Sequence, residues 1–190
     1  MPRFDCEDDT LLQEVIQSTI ACLISGGFHT AYWTTYDQID WANTTITDGV
    51  ITAYAMNDGG LWYKVESDPK GATFNSEFTE ENQFYTDQIL MTFESLQNRQ
   101  AVQSAIQTGC IVIHIFDNNC LEWVFGVSHI NGAFQKPVKT LRVARHRMDG
   151  GQLATSLARN ELDLVGESFF GPLSSTVGVD GLTVADGGGE

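Results

Sequence analysis

Short segments rich in β-branched and aromatic residues, separated by Gly, Asn and Asp, most constrain how this chain can fold. Cys110 to Phe116 is an apolar run holding a single histidine, and Asp117-Asn118-Asn119 follows it. A run this short with turn residues after it predicts a buried strand, returning as Leu121 to Ser128. Phe28 to Tyr36 mixes aromatics with threonines, which suits a pleated surface. Gly49 to Met56 and Leu61 to Val65 predict a hairpin turned by Asn57-Asp58-Gly59-Gly60, after an irregular polar stretch from Asp37. Ala72 to Glu80 alternates with Phe74 and Phe78 on one face, and Tyr85 to Ser95 alternates with Ile89, Met91 and Phe93 inward. Asn160 to Glu167 predicts a late strand carrying Leu162 and Leu164.

Two segments change period. Leu11, Leu12, Val15, Ile16, Thr19, Ile20 and Leu23 recur at helical spacing, predicting a helix over 8–24 that ends at Ser25-Gly26-Gly27. A second helix is predicted from an Asn98 cap, with Val102 and Ile106 on its apolar face and Gly109 at its end. The expected class is α+β, mostly β: an antiparallel β-sandwich or barrel of about eight strands, one packed helix and an N-terminal helix. The expected organisation is an acidic helical arm (1–27), a β-rich core domain (28–171) and a Gly-rich C-terminal extension (172–190) whose composition reads as flexible.

Charge narrows the function. With 25 acids against 10 bases, the net charge is −15. That opposes a direct grip on nucleic acid, which needs basic surface to neutralise phosphates. It suits a wall past which DNA moves without sticking. Five of the 10 bases, Lys136, Lys139, Arg142, Arg145 and Arg147, fall within one acid-free stretch that also holds His146. Such a segment on an acidic protein is either a solvated strand or loop, a contact for an acidic neighbouring subunit, or a phosphate site; the subunit contact is the functional candidate.

Catalytic patterns are sparse. His29, His114, His129 and His146 are scattered, and His114 alternates with core residues in Ile113-His114-Ile115, as a satisfied or solvent-side strand residue does. No P-loop, Rossmann fingerprint or G-x-S-x-G elbow is present. Asp117-Asn118-Asn119 lacks the glycine and glutamate of a calcium loop and reads as a turn. Cys6, Cys22, Cys110 and Cys120 show neither a zinc spacing nor a secreted framework, and they read as thiols of an intracellular product. No segment has the length and apolarity of a membrane helix, and the acidic N-terminus does not read as a signal peptide. The expectation is a structural protein without cofactor or metal. A β-sandwich using exposed Trp33, Trp41 and Trp62 to bind carbohydrate is the alternative of another kind, and a hydrolase would need His114, His129 and a carboxylate gathered in one cleft.

The order of these segments carries a resemblance. Ser25-Gly26-Gly27-Phe28 leads a strand; Ala72 to Thr79 is extended, followed by Glu80-Glu81-Asn82 and the strand Phe84 to Phe93; a short helix precedes Ile111 to Asn119 and Trp123 to Val127. Over about residues 22–170 this series resembles virion structural proteins of tailed bacteriophages, of the tail-tube-like kind. The N-terminal helix and the long final tail depart from that pattern. The resemblance implies homo-oligomeric rings, typically hexamers, stacked around a lumen through which DNA passes. It further implies strand edges paired between subunits, contacts with other virion proteins, no membrane partner, and a virion location after synthesis in the host cytoplasm. Segment 136–147 would then serve subunit or ring contacts, and the helix 98–107 would cover the sheet's outer side. Another virion part (a head–tail connector, a baseplate or a capsid decoration protein) shares the same expectations of assembly.

Overall fold

The computed structural model describes residues 27–68, 71–80, 83–93, 99–118, 120–149 and 159–185. The expected helix over 8–24, the Asn98 cap and residues 186–190 lie outside the described residues.

Thirteen strands and one helix build the fold among the described residues: β1 (Phe28–Thr35), β2 (Thr45–Thr47), β3 (Val50–Ala53), β4 (Tyr63–Glu66), β5 (Thr73–Thr79), β6 (Phe84–Phe93), α1 (Arg99–Gln107), β7 (Ile111–Asp117), β8 (Glu122–Phe125), β9 (Ser128–Ile130), β10 (Ala133–Gln135), β11 (Lys139–Asp149), β12 (Arg159–Ser168) and β13 (Leu173–Ser175). The class is α+β and mostly β, as expected. The sheet is mixed rather than wholly antiparallel, because β13 runs parallel to β3, and it does not close into a barrel.

One leaf has the order β2-β3-β13-β8-β7-β1-β4, the other β11-β12-β6-β5. A single pairing, Leu141 of β11 opposite Ile111 of β7, joins them. Side chains alternate across a strand, so β7 serves two cores. Ile111, Ile113 and Ile115 join Trp33 and Phe125 against Ile89, Met91, Phe93, Leu162 and Leu164 of the second leaf, with Ala101, Val102 and Ala105 of α1 in the same cluster. Val112 faces the other way with Tyr32, Ile51, Trp62, Val124 and Leu182. Two-sided burial is why β7 reads as a continuous apolar run.

Several local expectations are corrected. The segments 49–56 and 61–65 do not form a hairpin: β3 pairs with β2, and β4 pairs with β1. The turn that builds β2–β3 is Asp48-Gly49, whose φ angles of 52° and 81° match the twist of a two-residue hairpin. Asn131-Gly132 does the same between β9 and β10, in a stretch read as loop or edge strand. On α1, Ile106 is exposed while Ala101, Val102 and Ala105 are buried, and the positive φ after the helix belongs to Cys110. The Gly-rich segment is docked through Ala185. Beyond β13, Thr176 N–H donates to Ile51, and Trp62 exchanges backbone hydrogen bonds with Thr183 and Ala185. Finally, Cys110 is disulfide-bonded, contrary to the thiol reading, whereas Cys120 is free and exposed, so these two do not pair with each other.

Candidate assembly surface

Among the described residues both leaves end in edge strands, but the edges of the second leaf, β5 with 7 residues and β11 with 11, are longer than β2 with 3 and β4 with 4. The second leaf's inward face is mostly apolar, with Asp87, Asn160 and Ser168 as buried polar exceptions, whereas its outward face is mostly polar, interrupted by Leu90 and Val165. That face carries Arg142, Arg145 and Arg147 on β11, Glu161, Asp163 and Glu167 on β12, Gln88 on β6, and Thr73, Asn75 and Glu77 on β5. Gln88 bridges to both carboxylate oxygens of Asp163 at 3.0 and 3.1 Å.

Among the described residues, both edges of this leaf are open. β5 pairs only with β6, in an unbroken register from Thr73–Leu90 to Thr79–Phe84. β11 pairs with β12 along its length, but on its other side only Leu141 meets β7. From Val143 onward that edge has no strand partner among the described residues. The open edge strand β5 contains no Lys and no Pro, the residues that commonly blunt an exposed edge.

The five basic residues proposed from sequence fall on or just before β11 but are not equivalent. Lys136 is held by Asp37 at 3.3 Å and lies 5.3 Å from the ring centre of Tyr36. Burial, then the neighbouring Asp37 charge, pushes the Tyr36 hydroxyl up to about 12, so it stays protonated beneath the ammonium. Lys139 pairs with Glu167 at 3.2 Å, and Arg145 approaches Glu161 at 3.8 Å. Arg142 and Arg147 are exposed and have no ion-pair partner among the described residues. Segment 136–147 is thus partly neutralised within the subunit, leaving two unmatched cations beside an open edge.

Comparisons of the chain with protein-family models, with curated proteins and with solved structures find no match. Function must therefore be argued from geometry.

A cleft of about 330 Å³ lies where β11 leaves β7, between the end of α1 and the strand. Its walls are Ile106, Val143, Ala144 and Val165, and Lys139 and Arg142 stand at its rim. At the far end of the leaf, aromatic side chains gather on the β5–β6 and β12 ends. Phe78 packs 5.3 Å from Tyr85, and Phe84 packs 5.5 Å from Phe169. Phe78 remains 49% exposed and Phe170 65%. The alternation that puts Phe74 and Phe78 on one face holds. The position of Phe78 at the end of an edge strand is what leaves it uncovered.

The other chemically notable cluster lies on the opposite face of the first leaf. His114 is fully buried, and its Nε2 is 3.0 Å from Glu122 Oε2. These two residues are diagonal neighbours across β7–β8, a pairing that strand register reveals and linear spacing hides. Gly178 N–H donates to both Glu122 oxygens at 3.1 Å, tying the C-terminal segment to the pair. Burial alone would push the Glu122 carboxyl up. The hydrogen bonds from His114 and Gly178, helped by Ser175, hold it below the usual range. Burial lowers the pKa of His114, against the opposing pull of Glu122. The carboxylate can only accept, so neutral His114 carries its proton on Nε2, and its buried Nδ1 has no partner among the described residues. Phe116 stacks on the imidazole at 4.6 Å, with Tyr54 and Trp62 edge-on. Burial, then the Glu122 charge, push the Tyr54 hydroxyl well above its ordinary range. This constellation is sealed beneath Trp62 and the C-terminal segment, and it does not bring His129 to His114: His129 sits in the β9–β10 hairpin against Phe134.

The expected aromatic platform is not assembled either. Trp33 and Trp62 are fully buried, and Trp41 is partly buried with its indole N–H bonded to the Tyr36 carbonyl. Among the described residues, no group of His, Cys, Asp and Glu gathers for a metal, and no helix is long and apolar enough to cross a membrane.

Proposed function

We propose that this chain is a structural subunit that closes into rings by joining the open edges of its second leaf, in the manner expected of a tail-tube-like virion protein. The observation that carries this reading is a four-stranded antiparallel leaf open on both sides among the described residues. An unpaired edge is a template for another strand, and closure removes edges altogether. Because the leaf has an even number of strands, β5 and β11 run in opposite directions. Copies joined β5-to-β11 therefore continue an unbroken antiparallel sheet around a ring. Six copies would contribute 24 strands.

The polar outward face of the leaf would then line the lumen. Its charges are balanced in columns, Arg beside Asp and Glu, rather than uniformly acidic. DNA passing such a wall meets no continuous basic stripe to hold it, and this replaces net acidity as the physical argument for free passage. The tail-tube assignment, and with it the virion location, rests on the resemblance in segment order; ring formation rests on the open edges.

Negative-stain electron microscopy of the purified full chain, with sedimentation across a concentration series, tests the reading. Rings or tubes with a central hole are expected. A species that stays monomeric at every concentration and salt overturns it.

A further inference from the structure

We infer that the joint between copies is a specific one: Phe78 of one copy seats in the cleft between α1 and β11 of the next, with Glu77 and Glu80 meeting Arg145 and Arg142. This deepens the ring reading and rests on it.

The argument begins with length and direction. β5 offers 7 residues, Thr73–Thr79. β11 offers a matching open stretch from Val143 to Asp149. Pairing them antiparallel with full overlap sets Thr73 opposite Asp149 and the Phe78 end of β5 opposite Val143. Facing must also agree, because a slip of one residue turns every side chain to the wrong side. On β11 the register to β12 skips one residue between Val143 and Arg145, so Ala144 is a bulge. Allowing for it, Arg147 lies opposite Asn75, Arg145 opposite Glu77 and Val143 opposite Phe78. Each outward residue meets an outward one, and each inward residue an inward one.

The same alignment satisfies features that are otherwise unexplained. Phe78 is 49% exposed on one copy. Val143 and Ala144 line a cleft of about 330 Å³ whose wall, Ile106, is itself 37% exposed. An aromatic side chain brought to Val143 enters that space and covers Ile106. Exposed Glu77 and Glu80 have no ion-pair partner among the described residues, and neither does Arg142. In the joint, Thr79 lies opposite Arg142, and Glu80, the first residue beyond β5, is the diagonal neighbour of that guanidinium. Apolar anchor and flanking charges thus complement each other across one seam, which is how an interface fixes its register.

The test places cysteines at the exposed outward pair, Asn75→Cys with Arg147→Cys, in a Cys120→Ser background of the full chain. Oxidation of assembled protein should give a ladder of covalent oligomers on a reducing-sensitive gel, with neither single variant doing so. Glu80→Arg and Arg142→Glu alone should each weaken association about tenfold at low salt, and the combined swap should restore it. Phe78→Ala should weaken association at any salt concentration, with an unchanged circular-dichroism spectrum. Particles that assemble but give no ladder, and that do not respond to Phe78→Ala, overturn this joint while leaving the ring reading in place. A wild-type chain that never assembles overturns both.

Discussion

Acidification should loosen the fold through His114. The residue is neutral and fully buried, with Glu122 on Nε2 and the rings of Phe116, Tyr54 and Trp62 around it. Protonating Nδ1 would create a buried donor with no acceptor. Burial therefore lowers its pKa in the folded chain. The unfolded chain takes up the proton first, so the stabilisation is complete above the unfolded value of about 6.5 and is lost as pH falls towards the folded value. The unfolded pKa sets a ceiling: one histidine can remove at most about 2 kcal/mol between pH 7 and pH 5. With a urea slope of about 2 kcal/mol/M, the midpoint would fall by up to about 1 M. His114→Gln keeps a donor for Glu122 and removes the titration. Comparing its urea midpoints with wild type at pH 7, 6 and 5 cancels the contributions of all other groups. The variant should begin less stable, because stacking on Phe116 is lost, and its midpoint should change less with pH. A His114→Gln profile parallel to wild type would refute the reasoning.

Gly126 ends β8 at φ 90°, and a Cβ there would stand 2.1 Å from the Ile111 carbonyl oxygen, at the residue that joins the two leaves. Gly126→Ala should cost about 3 kcal/mol or more by urea unfolding, combining a left-handed backbone with a backbone clash; a loss below about 1 kcal/mol would contradict the geometry. Asp87 is buried beside Ser76 Oγ at 2.5 Å, and burial raises its carboxyl pKa despite help from Ser168 and Ser76. Its contribution is present in acid and lost as pH rises through the folded value, so Asp87→Asn should add about 1 kcal/mol at pH 7 and little at pH 3.5. Urea midpoints at the two pH values check it, and a destabilised variant at pH 7 would count against it.

The strands that alternate cleanly were legible in the sequence, because burial on one face writes a period of two. Ile89, Met91 and Phe93 point inward as their spacing predicts, and so do Leu162 and Leu164. β7 was legible for the opposite reason, since burial on both faces leaves almost no polar positions. What failed was partner choice. Asn57-Asp58-Gly59-Gly60 attracts the hairpin assignment, yet Asp48-Gly49 makes the hairpin. The strands on either side of the first turn are claimed by β1, β2 and β13. Turn chemistry is local, whereas pairing between β3 and β13 spans more than a hundred residues and leaves no trace in either segment. The same holds for the C-terminal segment, where Gly178 and Leu182 look like linker composition and are held by Glu122 and the second core.

The candidate surface was half legible for a related reason. A cluster of like charges in a short segment is a sequence property, so Lys136 to Arg147 stands out without a structure. Which of those charges are free is a property of register. β12 places Asp163 beside Arg145, Glu161 beside Arg147 and Glu167 beside Lys139, yet ion contacts form only at Arg145 and Lys139. An ion pair within the leaf leaves that cation less available to a neighbour, because recruiting it means breaking or sharing the existing contact. Arg142 carries no such penalty, and it stands at the rim of the only stretch of β11 where an apolar cleft and an open backbone edge coincide among the described residues. Phe78 is its counterpart: its alternation puts it on one face with Phe74, and only the termination of β5 as an edge leaves that side chain without a cover. Exposed backbone, exposed aromatic and unmatched charge are each tolerable singly on a monomer. Their coincidence on β5 and on an open stretch of β11 of matching length and opposite direction is what a surface shaped by assembly would show. For that reason the seam between β5 and β11, rather than the buried histidine, is where function is to be sought.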